Sequence, residues 1–142
     1  MRISDVLRGK GSSVATVDPG ISVSGLLSSL AKHNIGAMVV VENDQVVGIV
    51  SERDVVRQLH ERGAELLNAT VAEIMTRSVF TCLPTDSVDS LAATMTERRI
   101  RHMPVVVDGS LVGIVSIGDV VKSRITELES DRDQLESYIA RG

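Results

Sequence analysis

Hydrophobic and polar positions follow two different periods along the first sixty residues. Apolar residues at Val23, Leu26, Leu27 and Leu30 recur with helical spacing and predict an amphipathic helix. Two β-branched runs follow, AMVVV and VVGIV, and the turn residues END separate them. This pattern predicts a β-hairpin. A second helix is expected to begin after Ser51.

The same pattern returns 65 residues later. Residues 14–57 align with 79–122 without a gap, and 18 of these 44 positions are identical. Each copy predicts strand, helix, strand, strand, helix, with the first strands in VATV and VFTC. One unit alone would expose an apolar sheet face, so two copies are expected to cover each other. The sequence therefore predicts an α/β fold (α+β mixed) in which two β-α-β-β-α repeats pack as a pseudo-twofold pair.

Short segments outside the aligned copies also carry helical signals. SDVL precedes the first copy and TVAEIM precedes the second, where Thr70 and Glu73 have the spacing of a capping box. We divide the chain into a first repeat (1–68), a second repeat (69–124) and a C-terminal helix (125–142). That helix has a narrow apolar stripe at Ile125, Leu128, Leu135 and Ile139, interrupted by Arg132. It either folds back on its own domain or packs against a partner subunit.

Composition narrows the choice of partners. The chain has 142 residues, of which 43% are hydrophobic, but only one Phe, one Tyr and no Trp, so we expect aliphatic side chains to enclose any flat ligand. A net charge of −4 argues against general binding to nucleic acid. No segment has the length of a membrane span or the form of a signal peptide, and we expect a soluble, cytoplasmic protein. The histidines have no metal-ligand spacing, and Cys82 is interpreted as a core residue rather than a reactive thiol.

Ser-x-x-Asp occurs at the same place in both copies. Ser51 with Asp54, and Ser116 with Asp119, fit capping boxes, and capping alone would explain both pairs. The alternative adds a ligand, because a helix N-terminus offers free N–H groups and a carboxylate accepts both hydroxyls of a ribose. A glycine three residues before each Ser would let the backbone come close to such a ligand.

These residues resemble the paired cystathionine-β-synthase (CBS) domains, also called Bateman modules, of the stand-alone bacterial type. The resemblance lies in Gly-h-h-Ser-x-x-Asp at 48–54 and 113–119, where h is apolar, and in Ile-x-x-Met-Pro-Val-Val-Val at 100–107. It extends to about residue 124. Members of that family bind adenosine-containing ligands in two clefts between the repeats. The resemblance implies that Asp54 and Asp119 bind ribose and that Ser51 and Ser116 help to hold phosphate.

The resemblance also implies contacts to adenine and to phosphate. The implied adenine contacts, for which plain strand packing is the alternative, are Thr16, Ile35, Gly36, Ala37, Met38, Thr81, Ile100, Met103 and Pro104. The implied phosphate contacts are Arg99, Arg101 and His102, joined by Arg53. The alternative for this basic cluster is a solvated helix end. Copy one has Gly36 and Ala37 where copy two has Arg101 and His102, so two unequal sites are expected. The sequence leaves open whether Arg53 and the cluster share one cleft.

No nucleophile, acid–base pair or phosphate loop suggests catalysis, and we expect no enzyme activity and no metal. The predicted function is that of a regulatory module which binds AMP, ADP or ATP, with S-adenosylmethionine or NAD as other candidates. We expect a homodimer, formed through the helices of the repeats and the C-terminal helix, that regulates an unidentified protein. The competing hypothesis is a scaffold for protein assembly that binds no nucleotide.

Overall fold

The structure, a computed structural model, describes residues 1–11 and 13–141. This part of the chain forms helices and five short strands in two small sheets. The helices are α1 (Ile3–Lys10), α2 (Val23–His33), α3 (Glu52–Arg62), α4 (Val71–Ile74), α5 (Val88–Arg98) and α6 (Ile117–Arg141), with a 3-10 helix at Gly63–Asn68. The strands are β1 (Thr16–Val17), β2 (Ala37–Glu42), β3 (Gln45–Ser51), β4 (His102–Val107) and β5 (Ser110–Ser116).

The predicted helices and hairpins are confirmed, and local chemistry explains their ends. The Ser22 hydroxyl accepts the Gly25 N–H at 3.0 Å at the start of α2, and Ser87 plays the same part at the start of α5. In the first hairpin turn, Asn43 and Asp44 have φ of 52° and 61°. Short polar residues tolerate this left-handed conformation, which matches the twist of the flanking strands.

The first strand of each repeat is shorter than the sequence predicts. β1 has two residues and runs parallel to β2, which is antiparallel to β3. In the second repeat the segment predicted as a strand makes one parallel bridge, between Cys82 and Val105, beside the antiparallel pair β4–β5. A proline follows two residues after each short strand, and proline cannot donate a ladder hydrogen bond.

Two apolar cores lie on either side of the contact between β3 and β5. The first contains α4 residues such as Val71, and the second contains Ile3 from α1. Each half of the molecule therefore includes a helix from beyond the boundary that we placed between residues 68 and 69. Backbone hydrogen bonds secure this exchange: Ile3 N–H donates to Asp86 O, and Val71 N–H donates to Ile21 O, both at 2.9 Å.

Helix α6 is one continuous helix of 25 residues, so the C-terminal helix expected from 125 to 142 is an extension of the helix that begins at Ile117. Neither Gly nor Pro occurs between Asp119 and Arg141 to end it. Its last turns do not fold back on the described part of the chain, because Leu128, Leu135 and Ile139 are 58%, 60% and 67% exposed. Within residues 1–11 and 13–141, no helix is both long and apolar enough to cross a bilayer.

Candidate functional site

A cleft of about 640 Å³ opens at the N-terminus of α3. Its walls come from the first turns of α3, the beginning of β2, the connection that follows α4 and the residues that lead into β4. Nine residues that we predicted as ligand contacts line it together: Gly36, Ala37, Ser51, Arg53, Asp54, Arg99, Ile100, Arg101 and His102. The copies are 65 residues apart in sequence, so this convergence depends on the pairing of the two repeats.

Asp54 caps helix α3 and keeps one carboxylate oxygen available. Its Oδ2 accepts the Ser51 N–H at 2.8 Å and the Ser51 hydroxyl at 3.0 Å, and its own N–H donates to Ser51 Oγ at 3.2 Å. None of the described residues donates a hydrogen bond to Oδ1 or forms an ion pair with Asp54. The capping box is therefore present, and it leaves an acceptor at the cleft for an additional donor.

Basic side chains from both repeats meet in this cleft. Arg53 and Arg57 lie one turn apart on α3, and Arg99 and Arg101 contribute from the second repeat. This answers the question of whether Arg53 and the later cluster share one cleft. Sequence analysis missed Arg57, although its spacing of four residues from Arg53 places both on one helix face. Four guanidinium groups against the carboxylates of Glu52 and Asp54 favour an anionic ligand.

His102 and Arg99 have unusual environments. Burial lowers the pKa of His102, and the nearby positive charge of Lys10 lowers it further, which keeps the imidazole neutral at pH 7. Arg99 ends α5 in the left-handed conformation, with φ of 56°, and its N–H donates to Met95 O. Few residues other than glycine adopt this conformation, and Asn does so more readily than Arg.

Phe80, the one phenylalanine of the chain, also lines the cleft. The guanidinium of Arg98 lies 5.0 Å from the centre of its ring. The lining of the cleft therefore includes an aromatic ring, whereas we expected aliphatic side chains around a flat ligand. Hydrophobic periodicity does not single out Phe80, because it lies in the connection where the predicted strand did not form.

The second Ser-x-x-Asp pair lies outside this cleft. Asp119 Oδ2 accepts the Ser116 N–H at 2.9 Å, and the Asp119 N–H donates to Ser116 Oγ at 3.1 Å, so the cap repeats that of α3. Asp119 also accepts a hydrogen bond from Lys10 Nζ at 2.6 Å. Burial would raise the pKa of Asp119, but the Lys10 ammonium and the Ser116 N–H outweigh it, and the pKa lies below its usual range.

Six of the nine predicted adenine contacts do not line the cleft. Met38 and Met103 are 1% exposed and belong to the two cores. Thr81 and Met103 line a separate pocket of about 80 Å³. The remaining three are Thr16, Ile35 and Pro104, of which Pro104 is buried in β4.

The glycine before each motif has a structural role that the sequence did not indicate. A Cβ on Gly48 would lie 2.6 Å from Met75 Sδ and 3.0 Å from Thr76 O. On Gly113 it would lie 2.7 Å from a methyl group of Leu7. The glycines therefore admit neighbouring protein atoms, whereas we had expected them to admit a ligand.

Cys82 is a core residue, as predicted. It is 6% exposed, and burial, with a smaller effect of Asp86, raises the pKa of its thiol to about 11. A thiol in this state is a poor nucleophile at neutral pH. Across residues 1–11 and 13–141, no group of three or more His, Cys, Asp or Glu side chains is arranged to hold a metal ion.

Comparisons with known proteins place both repeats in one family. The model of the CBS domain matches residues 3–61 and 71–125. A mitochondrial CBS domain-containing protein of Arabidopsis thaliana is 36% identical over 99% of this chain and 72% of its own length. The crystal structure of a CBS-domain protein of Agrobacterium tumefaciens has a TM-score of 0.85 at 42% identity, covering 87% of this chain and 99% of that one.

A further solved structure is that of a related pair with bound ligands. It is the CBS domain pair of protein MJ0100, solved in complex with 5′-methylthioadenosine and S-adenosyl-L-methionine. Its TM-score is 0.80 at 29% identity, and the alignment covers 89% of this chain and 98% of that chain.

Proposed function

Since the chain belongs to the CBS domain family, whose model matches both of its repeats, we propose that it is a regulatory module that binds an adenine nucleotide in the cleft beside Asp54. The related pair of MJ0100 holds two adenosine compounds, which supports an adenosine-type ligand. The four arginines favour a ligand with phosphates, and we propose AMP, ADP or ATP over S-adenosylmethionine or NAD.

The available oxygen of Asp54 carries this proposal. A ribose diol would donate to Oδ1 while Oδ2 continues to cap α3, so binding would not cost the helix its cap. Ser51 and the N-terminus of α3 would lie near the phosphates, with Arg53 and Arg57 on one side and Arg101 on the other. Phe80 would offer a ring face to the base.

The regulatory part of the proposal concerns the arrangement of the two repeats. A ligand shifts a conformational equilibrium only through unequal affinity for its states. The cleft is built from both repeats, so closure around a nucleotide would change how they contact each other and any protein bound to them. We propose a noncatalytic role, a homodimer and an unidentified regulated protein. A cytoplasmic location stays a prediction.

Calorimetric titration with AMP, ADP, ATP, NAD and S-adenosylmethionine tests the nucleotide site. Asp54→Asn should weaken binding by about tenfold to a hundredfold, because a hydrogen bond to a charged group contributes roughly 1.5–3 kcal/mol. Asparagine can still cap α3, so the unfolding midpoint should change little. Asp119→Asn makes the same change outside the cleft and should leave binding at Asp54 unaltered.

The assembly scaffold is the competing function, and the exposed apolar stripe of α6 is the observation that favours it. A scaffold predicts no heat with any of the five ligands at millimolar concentration. It also predicts that Asp54→Asn changes neither binding nor assembly. That pair of results would contradict the nucleotide proposal.

A further inference from the structure

The helices that lead into the two repeats are structural counterparts. Ile3 and Val71 are the first residues of α1 and α4, and both are fully buried. Val88 N–H donates to Met1 O at 3.0 Å, just as Val23 N–H donates to Ala69 O at 2.8 Å. α1 therefore covers the second repeat in the way that α4 covers the first.

The counterparts diverge where the two Ser-x-x-Asp sites begin. After α4 the chain becomes extended, and Thr76 N–H donates to Ile49 O at 2.9 Å. α1 instead stays helical to Lys10, whose Nζ donates to Ile114 O at 2.9 Å. Ile114 is the repeat counterpart of Ile49. The Lys10 ammonium therefore donates to the carbonyl that corresponds to the one bound by the Thr76 N–H, and Thr76 lines the cleft.

The same ammonium reaches the second motif carboxylate. Lys10 Nζ lies 2.6 Å from Asp119 Oδ2, and the two side chains are 34% and 20% exposed. The counterpart carboxylate, on Asp54, has no ion-pair partner among the described residues. At the sequence position that matches Lys10 in the alignment of α1 with α4, the chain has Ser78, which lines the cleft and carries no charge.

We infer that Lys10 is an intramolecular occupant of the second Ser-x-x-Asp site, and that it limits the chain to one nucleotide, held at Asp54. Asp119 Oδ1 accepts no hydrogen bond from the described residues, but a ribose there would have to fit beside an ammonium that Asp119 Oδ2 and Ile114 O both hold and that neutralises the carboxylate. The second site also has fewer charged groups to offer a phosphate, since the repeat counterparts of Arg53 and Arg99 are Gly118 and Asn34. Arg101 and His102 lie beside this motif as well, because Ile117 N–H donates to Arg101 O and His102 pairs with Ser116.

The statement that the chain binds one nucleotide rests on the proposed nucleotide site. The experiment distinguishes a failure of this inference from a failure of the proposed function. The second site is isolated in an Asp54→Asn background, where adenosine serves as the probe because it reports the ribose contact without any contribution from phosphate. Lys10→Ser, which introduces the residue found at the matching position, is added to that background. Adenosine should then bind at least tenfold more tightly than to Asp54→Asn alone, and adding Asp119→Asn should abolish the gain.

Matched variants separate charge from packing. Lys10→Arg preserves the ion pair and should leave the second site closed. Lys10→Met retains the aliphatic stem and should open the site even if serine frays the end of α1. Carbon-detected NMR of the Asp119 carboxyl supplies a readout without ligand, since its pKa should rise when Lys10 is replaced by Ser or Met and stay low with Arg.

Each outcome decides the inference. Two ATP molecules per wild-type chain would overturn it, and so would adenosine binding that is equal, or undetectable, with and without the Lys10 substitutions. If wild type binds ATP through Asp54 but Lys10→Ser opens nothing, the proposed function stands and this inference fails. If wild type binds no nucleotide while the Lys10 variants bind adenosine through Asp119, the inference stands and the proposed function fails.

Discussion

Arg99 combines a proposed phosphate contact with an unfavourable backbone conformation. Its φ is 56°, and its repeat counterpart Asn34 has nearly the same value, 52°. A left-handed conformation costs most L-residues about 1–2 kcal/mol, whereas the short polar side chain of Asn forms local hydrogen bonds that reduce the cost. The first repeat thus has the residue that suits the conformation, and the second has one that suits an anion in the cleft.

Arg99→Asn should therefore separate stability from binding. We expect the free energy of unfolding to rise by up to about 1 kcal/mol, since strain is relieved at this position. We expect ATP affinity to fall about tenfold, the loss of one charge-assisted contact. Urea unfolding and calorimetry measure the two effects. The reverse change in the other repeat, Asn34→Arg, should lower stability and leave ATP affinity unaltered, and a destabilised Arg99→Asn protein would contradict this account.

Single residues differ in how far the sequence reveals them. Asp54 was predicted because the duplicated motif marks it, and Arg53 was predicted because it is a basic residue inside the first copy of that motif. Phe80 and Lys10 were missed. Phe80 lies in an irregular connection, and Lys10 meets Asp119, a partner 109 residues away that no local pattern indicates. What a residue contacts across the molecule depends on packing that single-sequence periodicity does not contain.

The approach of the chain after α4 to strand β3 depends on Gly48. A Cβ there would meet both a flexible side chain, Met75, and a backbone atom, Thr76 O, at 3.0 Å. At Gly113 the three nearest atoms all belong to the side chain of Leu7, which can change rotamer. Two glycines with the same place in the repeat therefore differ in how easily their neighbours can move.

Gly48→Ala should destabilise the protein more than Gly113→Ala. Overpacking that shifts backbone typically costs about 1–3 kcal/mol, and we expect Gly48→Ala to fall in that range and Gly113→Ala below it. Gly48→Ala should also weaken ATP binding, because Thr76 forms part of the cleft wall. Urea unfolding of both variants, followed by calorimetry, measures this. If both variants lost the same free energy of unfolding, the backbone at Thr76 would move as easily as the Leu7 side chain, which would contradict this prediction.

At the scale of elements, hydrophobic periodicity predicts which helices and hairpins form, but it does not predict which apolar core each helix packs against. Helices α2 and α5 and both hairpins follow from spacing, caps and turn residues. The exchange of α1 and α4 between the halves does not, because an amphipathic helix fits either of two similar apolar faces. The prediction divided α6 at the end of the second repeat, near residue 124, although the chain contains no residue there that ends a helix.

At the scale of the whole molecule, the described part of the chain leaves an apolar stripe on α6 uncovered. Ile125, Leu128, Leu135 and Ile139 are each more than half exposed, and with Arg132 between the second and third they have alternating spacings of three and four residues. Most helical stability in proteins comes from packing of an amphipathic face, so the exposed stripe favours a partner for the end of α6. In an antiparallel pair with Ile125 opposite the partner's Leu135, Arg132 of each helix lies beside the partner's Glu129. This charge match favours a second copy of the chain as that partner.

If α6 forms the seam of the proposed homodimer, substitutions along the stripe should change dimer affinity in opposite directions. Leu128→Asp places a carboxylate in an apolar layer and should raise the dimer dissociation constant at least tenfold. Arg132→Leu completes the stripe and should lower it. Ser130→Asp adds the same charge on the outer face and should have little effect. Sedimentation velocity over a range of protein concentrations measures all three, and a wild type that stays monomeric up to about 100 µM, a concentration at which even micromolar affinity gives mostly dimer, would rule out this seam.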